Sequence, residues 1–254
     1  MKEHIKKFIA RTAGKLGVEI VFHGKERLKE YDEFIDLYNI CKPYTMTSIE
    51  RMYALYKSVE YILKHDIPGD FYECGVWRGG SSMMIALTLE KFKSRDRSLF
   101  LFDTFEGMSA PGDADLDGEG NSARSLLEKA RPGNTLNNIW CYADLNDVQN
   151  NMNRTGYPAD KVHYVKGKVE DTLPAFQSQE KLALLRLDTD WYESTRMELE
   201  YLFPKLEAGG VLIIDDYGFW QGAKKAVDEY MEKNKVKILL NRIDDTGRVA
   251  IKFA

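Results

Sequence analysis

From residue 69 onward, short apolar runs alternate with helical patterns, and no other feature of the chain constrains its fold as much. Strand signals lie at 69–75 (GDFYECG), 97–103 (RSLFLFD), 161–167 (KVHYVKG), 182–188 (LALLRLD), 210–216 (GVLIIDD), 236–243 (VKILLNRI) and 248–253 (RVAIKF). Helical spacing occupies 80–93, 123–131, 135–155, 170–178, 193–206 and 219–234. Apolar strands separated by helices predict an α/β fold, a doubly wound and mostly parallel sheet covered on both faces. The linker Asp244-Asp245-Thr246-Gly247 is too short for a crossover. The last strands therefore form a hairpin and add an antiparallel C-terminal strand.

Residues before this body read as helical. KERLKEYDEFIDLYNICK breaks at Pro43, and a second segment opens at Thr47 or Ser48 as a cap, with Glu50 in its first turn. Ile49, Met52, Leu55, Val59 and Ile62 then recur at helical spacing. The expected organisation is a helical preface and lid over 1–66, followed by one α/β domain over 67–254. At the start, Ile5, Phe8, Ile9, Thr12 and Leu16 suggest a short amphipathic helix, interrupted by Lys and Arg too often for a signal peptide. No span of transmembrane length appears.

The net charge of −4 is spread without a basic patch, which argues against a nucleic-acid partner. Cys41, Cys74 and Cys141 show no paired spacing, so neither a disulfide framework nor a zinc site is indicated, and a reducing cytoplasm fits. The expected partners are small molecules and a second copy of the chain, with no membrane.

In open parallel sheets, ligands bind beyond the carboxyl ends of the strands. The first strand ends in ECGVWRGGSS, a strand, tight turn and helix start whose glycines let backbone approach a ligand and whose free N–H groups favour anionic groups. A buried structural turn has the same look. Asp103 closes the second strand, where an acidic side chain commonly accepts from ribose hydroxyls; a capping aspartate is the plainer alternative. Asp188, Asp190, Asp215 and Asp216 end two adjacent strands. Clustered carboxylates repel unless a cation compensates them, and oxygen-only ligands favour a hard ion such as Mg²⁺. Helix capping would account for one or two of them. The loop DADLDGEGN starts like a calcium loop at Asp113, Asp115, Asp117 and Gly118, but position twelve is Arg124 where a bidentate Glu is required. A solvated, mobile loop is expected there instead. The four histidines have no catalytic partner nearby in sequence.

The blocks ECGVWRGGSS, FDTFEGM, LRLDTDWYEST and GGVLIIDDY resemble the macrocin O-methyltransferase family, from about Tyr44 to the end of the chain. The resemblance implies a Rossmann-like class I methyltransferase fold, S-adenosylmethionine as donor and a divalent ion, usually Mg²⁺. It implies Asp188, Asp215 and Asp216 as metal ligands and Asp190 as general base. It places Glu73, Gly75, Asp103 and the turn residues Arg78, Gly79 and Ser81 at the cofactor, with Asp188 beside them. Lys168 and Val169 fall near the adenine, and Thr45 and Met46 come from a lid segment. The acceptor it implies is a sugar hydroxyl of a glycosylated small molecule from antibiotic biosynthesis. The loop 104–125 and the residues before Tyr44 do not match closely, and they shape the acceptor pocket. A catechol or other vicinal diol would suit the same metal site. An NAD-dependent oxidoreductase would share the glycine turn and Asp103 but would have no use for the carboxylates. A binding module could keep the pocket without catalysis.

Overall fold

A computed structural model describes residues 29–130, 139–176 and 181–253. The chain divides into two compact units, residues 1–36 and 37–254. The described part of the first consists of the opening residues of helix α1 (Lys29–Cys41). The amphipathic pattern of the first 22 residues lies outside the described residues.

In the second unit a 3₁₀ turn, Lys42–Tyr44, leads to α2 (Ile49–Lys64). Ser48 caps α2 by accepting the Arg51 N–H at 3.1 Å. Strands and helices then alternate: β1 (Asp70–Cys74), α3 (Gly80–Lys91), β2 (Leu99–Asp103), α4 (Ala123–Lys129), α5 (Leu145–Asn153), β3 (Val162–Lys166) and α6 (Val169–Ala175). After them come β4 (Leu182–Leu187), α7 (Tyr192–Tyr201), β5 (Leu206–Ile214), α8 (Gln221–Lys233), β6 (Asn241–Arg242) and β7 (Arg248–Ile251). The seven-stranded sheet has the order β3-β2-β1-β4-β5-β7-β6. β1 to β5 pair in parallel and β7 pairs antiparallel with both β5 and β6. The doubly wound sheet and its antiparallel strand are as the apolar alternation dictates.

Every residue of central β4 is buried, because helices cover both of its faces. α2 packs on α3, β4 and β5, and α7 packs on α6 and α8. Tyr72, Phe100 and Phe102 from neighbouring strands pack with Phe176, their ring centroids 4.5–6.1 Å apart.

Three expected elements differ. The run 236–243 keeps its strand-like alternation, with Val236, Ile238 and Leu240 packed on the core and Leu239 76% exposed. Only Asn241 and Arg242 reach the short β7 to form ladder bonds. Of the expected helix 135–155, residues 139–144 are not helical: the Trp140 carbonyl accepts the Met108 N–H at 3.0 Å, and Asp144 caps α5. Residues 131–138 lie outside the described residues. The helix expected over 193–206 ends at Tyr201 and passes into a 3₁₀ turn that contains Pro204.

The acidic loop is exposed at Asp113, Gly118 and Glu119, as expected, and departs from expectation at one residue. Asp115 is buried, not solvated, and its carboxylate accepts the N–H groups of Tyr192 at 2.7 Å and Gly112 at 2.6 Å. Leu116 pairs with Ser122 as an isolated bridge and accepts the Gln221 N–H at 2.8 Å. The loop thus ties together the N-terminal ends of α7 and α8, the two helices that follow the carboxylate-bearing strands. Gly222 makes room for it, since a Cβ there would stand 1.9 Å from Asp115 Oδ1. Gly222→Ala should push Asp115 off the Tyr192 N–H and cost about 1–3 kcal/mol through buried groups left without partners. Gly118→Ala, facing open space, should change little. Urea denaturation of both variants checks the contrast.

Candidate active site

A cavity of about 550 Å³ opens at the carboxyl ends of β1, β2, β4 and β5. Of the residues expected at the site, Thr45, Met46, Gly75, Ser81, Asp103, Lys168, Val169, Asp188, Asp190, Asp215 and Asp216 line it. Glu73, Arg78 and Gly79 are not brought to its wall.

The wall at the end of β1 depends on Gly75. It sits at φ +82°, and a Cβ would lie 1.9 Å from the Asp188 carbonyl oxygen. Only a residue without a side chain lets β1 and β4 end this close together. Asp103 braces the same turn. Its Oδ2 accepts the N–H groups of Val76 at 2.6 Å and Trp77 at 3.1 Å, and its Oδ1 accepts the Phe105 N–H at 2.7 Å. Two donors saturate Oδ2. Thr104 Oγ1 lies 3.4 Å from Oδ1 but directs its one proton to the Gly107 carbonyl at 2.6 Å, so Oδ1 keeps acceptor capacity for a ribose hydroxyl. Burial raises the Asp103 pKa, while the backbone donors oppose the rise.

Glu73 lies beneath the cavity. It is 1% exposed, accepts hydrogen bonds from Ser81 Oγ and Ser82 Oγ, and pairs with Arg186 at 2.6 Å. Arg78 faces outward from the cavity to Asp147, with Nε at 2.7 Å from Oδ2, and Gly79 is the left-handed residue before α3.

Arg186 was not among the expected site residues. It is 2% exposed near the carboxyl end of β4, directly beside Glu73 in the strand register. Its Nη2 lies 2.8 Å from Asp188 Oδ2 and 2.5 Å from Asp215 Oδ1. The signal was present in LALLRLD: a charge inside an otherwise apolar strand must be paired where it is buried. Arg51, from the first turn of α2, pairs with Asp215 Oδ2 and lies 2.9 Å from Asp244 Oδ2. The carboxylates therefore already hold two guanidinium groups, where the sequence suggested compensation by an ion alone.

Ligand oxygens of Asp188, Asp215 and Asp216 lie within 4.8 Å of one another. Asp216 Oδ2 is buried without a hydrogen-bond partner. Burial, with repulsion from neighbouring carboxylates, pushes Asp188 and Asp216 well above the usual range, although Arg186 opposes this at Asp188. An all-oxygen donor set with an orphaned buried oxygen fits a hard divalent ion. Asp190 stands at φ +69° beside this trio, and its Oδ2 accepts from Trp220 Nε1 at 3.1 Å. Burial, with the charge of Asp188 adding to it, pushes Asp190 up to about 7. Behind the loop, buried Glu198 accepts from Thr189 Oγ1 at 2.8 Å and so fixes the residue between Asp188 and Asp190.

Met108, Leu126, Ile139 and Phe219 add an apolar stretch to the cavity wall. The cavity thus has a polar cradle, a carboxylate cluster and an apolar side.

The model of the macrocin-O-methyltransferase family matches residues 24–250. An 8-demethyl-8-(2,3-dimethoxy-alpha-L-rhamnosyl)-tetracenomycin-C 4'-O-methyltransferase of Streptomyces olivaceus is 35% identical over 204 residues, 80% of this chain and 74% of that protein. A demethyldecarbamoylnovobiocin O-methyltransferase of Streptomyces niveus is 33% identical over 204 residues, with the same coverage of 80% and 74%. Among solved structures, the O-methyltransferase NovP superposes with a TM-score of 0.71 at 31% identity, covering 83% of each chain. With a family model spanning nearly the whole sequence and relatives of this similarity, the chain belongs to the macrocin-O-methyltransferase family and is an O-methyltransferase.

Proposed function

We propose that the protein methylates a sugar hydroxyl of a glycosylated small molecule, using S-adenosylmethionine and a divalent ion, of which Mg²⁺ is the natural choice. The observation that carries this reading is the placement of Asp190 beside the Asp188, Asp215 and Asp216 oxygens, in the cavity that also contains Gly75 and Asp103. The rhamnosyl group in the name of the Streptomyces olivaceus relative points to the same acceptor class.

Asp188, Asp215 and Asp216 would hold the ion, which when bound supplies a Lewis acid that acidifies a chelated hydroxyl. Asp103 Oδ1, the open Gly75 backbone, Lys168, Val169 and the Thr45–Met46 segment would hold S-adenosylmethionine, which supplies an electrophilic methyl on a sulfonium. Asp190 takes the hydroxyl proton as the oxygen attacks. Trp220 Nε1 holds the Asp190 carboxylate in one orientation, and the Glu198–Thr189 bond holds its backbone. The apolar wall excludes water and receives the non-sugar part of the acceptor.

Calorimetric titration tests the cofactor assignment. S-adenosylmethionine or its demethylated product should bind, and NAD should not. A response to NAD alone would overturn the assignment.

Metal ligand and base are separated by a pair of variants. Asp215 is a poor probe, because removing its charge leaves Arg51 and Arg186 buried without it, at a cost of about 3–5 kcal/mol. Asp216 has no such pairing. Asp216→Asn should weaken Mn²⁺ or Mg²⁺ binding at least about 10-fold. Asp190→Asn keeps an acceptor for Trp220, should bind metal and cofactor normally, and should slow the chemical step about 10²-fold or more. Single-turnover kinetics with demethyldecarbamoylnovobiocin as first probe acceptor, alongside metal titration, decides the roles. Loss of metal affinity in Asp190→Asn would make Asp190 a ligand.

A further inference from the structure

Asp215 offers one oxygen to each of two guanidinium groups, and the two differ in how firmly they are held. Arg186 is enclosed by Glu73, Asp188 and Asp215 inside the sheet. Arg51 reaches in from α2, and its side chain keeps 16% exposure. It has a second carboxylate to rest on. Asp244 Oδ2 lies 2.9 Å from Arg51 Nε and accepts from Ser48 Oγ at 2.6 Å. Asp244 Oδ1 accepts the N–H groups of Thr246 at 3.0 Å and Gly247 at 2.7 Å, so the hairpin holds this anchor in place. Gly247 clears the path of the arginine, since a Cβ there would lie 2.7 Å from Arg51 Cδ.

The position of Arg51 has a direct electrostatic consequence. Asp215 contributes to the trio of oxygens that fits a divalent ion, and Arg51 occupies one Asp215 oxygen. A cation at the trio and the guanidinium of Arg51 share one carboxylate and repel each other at short range in a poorly hydrated site. Arg186 cannot yield, because at 2% exposure it is closed in on all sides within the sheet. Arg51 can, because Asp244 retains its Nε.

We propose that Arg51 sets the affinity of the divalent-ion site by competing for Asp215. Without the ion, Arg51 compensates Asp215 and allows the carboxylates to stand together. With the ion, Arg51 gives up Asp215 and stays on Asp244. This rests on the reading of Asp188, Asp215 and Asp216 as a divalent-ion site. It also couples that site to the segment just before α2, whose Thr45 and Met46 line the cofactor wall, and such coupling acts in both directions.

The test is titration of cofactor-free protein with Mn²⁺, followed by calorimetry. Arg51→Met keeps the length of the side chain without the charge and should bind Mn²⁺ about 10-fold tighter than the wild type; Arg51→Lys, still cationic, should stay close to it. Equal or weaker binding by Arg51→Met overturns the proposal. A second measurement needs only the folded wild type. In arginine-selective ¹⁵N spectra, the Arg51 Nε resonance, assigned by its loss in Arg51→Lys, should move as Mg²⁺ saturates the site. An unmoved resonance at saturation also overturns the proposal. Asp216→Asn separates the two readings. If it abolishes ion binding while Arg51→Met changes nothing, the metal site stands and the competition is wrong. If no ion binds the wild type or Arg51→Met, both fail.

Discussion

The pairing of Arg186 with Glu73, Asp188 and Asp215 underlies everything at the active end of this fold. Three strands of a parallel sheet end side by side, and each ends in a carboxylate. Left alone, such groups repel and resist burial. One buried guanidinium beneath them, 2.5–2.8 Å from an oxygen of each, makes the arrangement tenable. Ser81 and Ser82 complete Glu73 from the first turn of α3, so the same network fixes where the glycine turn meets the sheet. A buried ion pair of this kind contributes little net stability against an apolar substitute, but removing one partner is costly. Its role is therefore geometric. It holds Asp188 Oδ2 and Asp215 Oδ1 at fixed places, with the second Asp215 oxygen left to Arg51.

This network explains what the sequence disclosed and what it did not. The sheet was legible because a parallel strand buried on both faces must be apolar throughout, and LALLRLD and GVLIIDD say so plainly. The carboxylates were legible because ligands gather at strand ends. Arg186 is the one cation inside LALLRLD, but a cation in a strand equally marks a solvent-facing position, and its burial follows only from the neighbouring strands that pair with it. Arg51 and Asp244 were harder to find. Their partnership joins residues 193 positions apart, and no local pattern announces it. The role expected for Glu73 shows a related limit: a carboxylate at a strand end can serve the sheet from below as readily as a ligand from above.

The loop 104–125 shows the same limit in another form. Its aspartates resembled a solvated loop because their spacing failed as a calcium site. Burial of Asp115 depends on Gly222, more than a hundred residues away, having no side chain. Tertiary context decided the outcome, and local composition gave no warning. The result is a brace that fixes the starts of α7 and α8, and with them the directions in which the segments after β4 and β5 leave the sheet.

That brace bears on why the cofactor side of such a site reads more clearly than its acceptor side. The cradle is made by strand ends and one glycine turn, features that the sheet itself imposes. The acceptor wall is assembled from separate excursions: Met108 follows β2, Leu126 lies on α4, Ile139 precedes α5 and Phe219 precedes α8. Trp191 and Trp220 join these pieces. Their rings meet edge-on at 5.0 Å, Trp191 Nε1 donates to the Ser109 carbonyl at 3.1 Å, and Trp220 Nε1 donates to Asp190. The orientation of the proposed base is thus set by the same aromatic pair that supports the acceptor wall. A displacement of this pair would therefore also move Asp190, whereas Gly75 and Asp103 are held by the strand ends and the turn after β1.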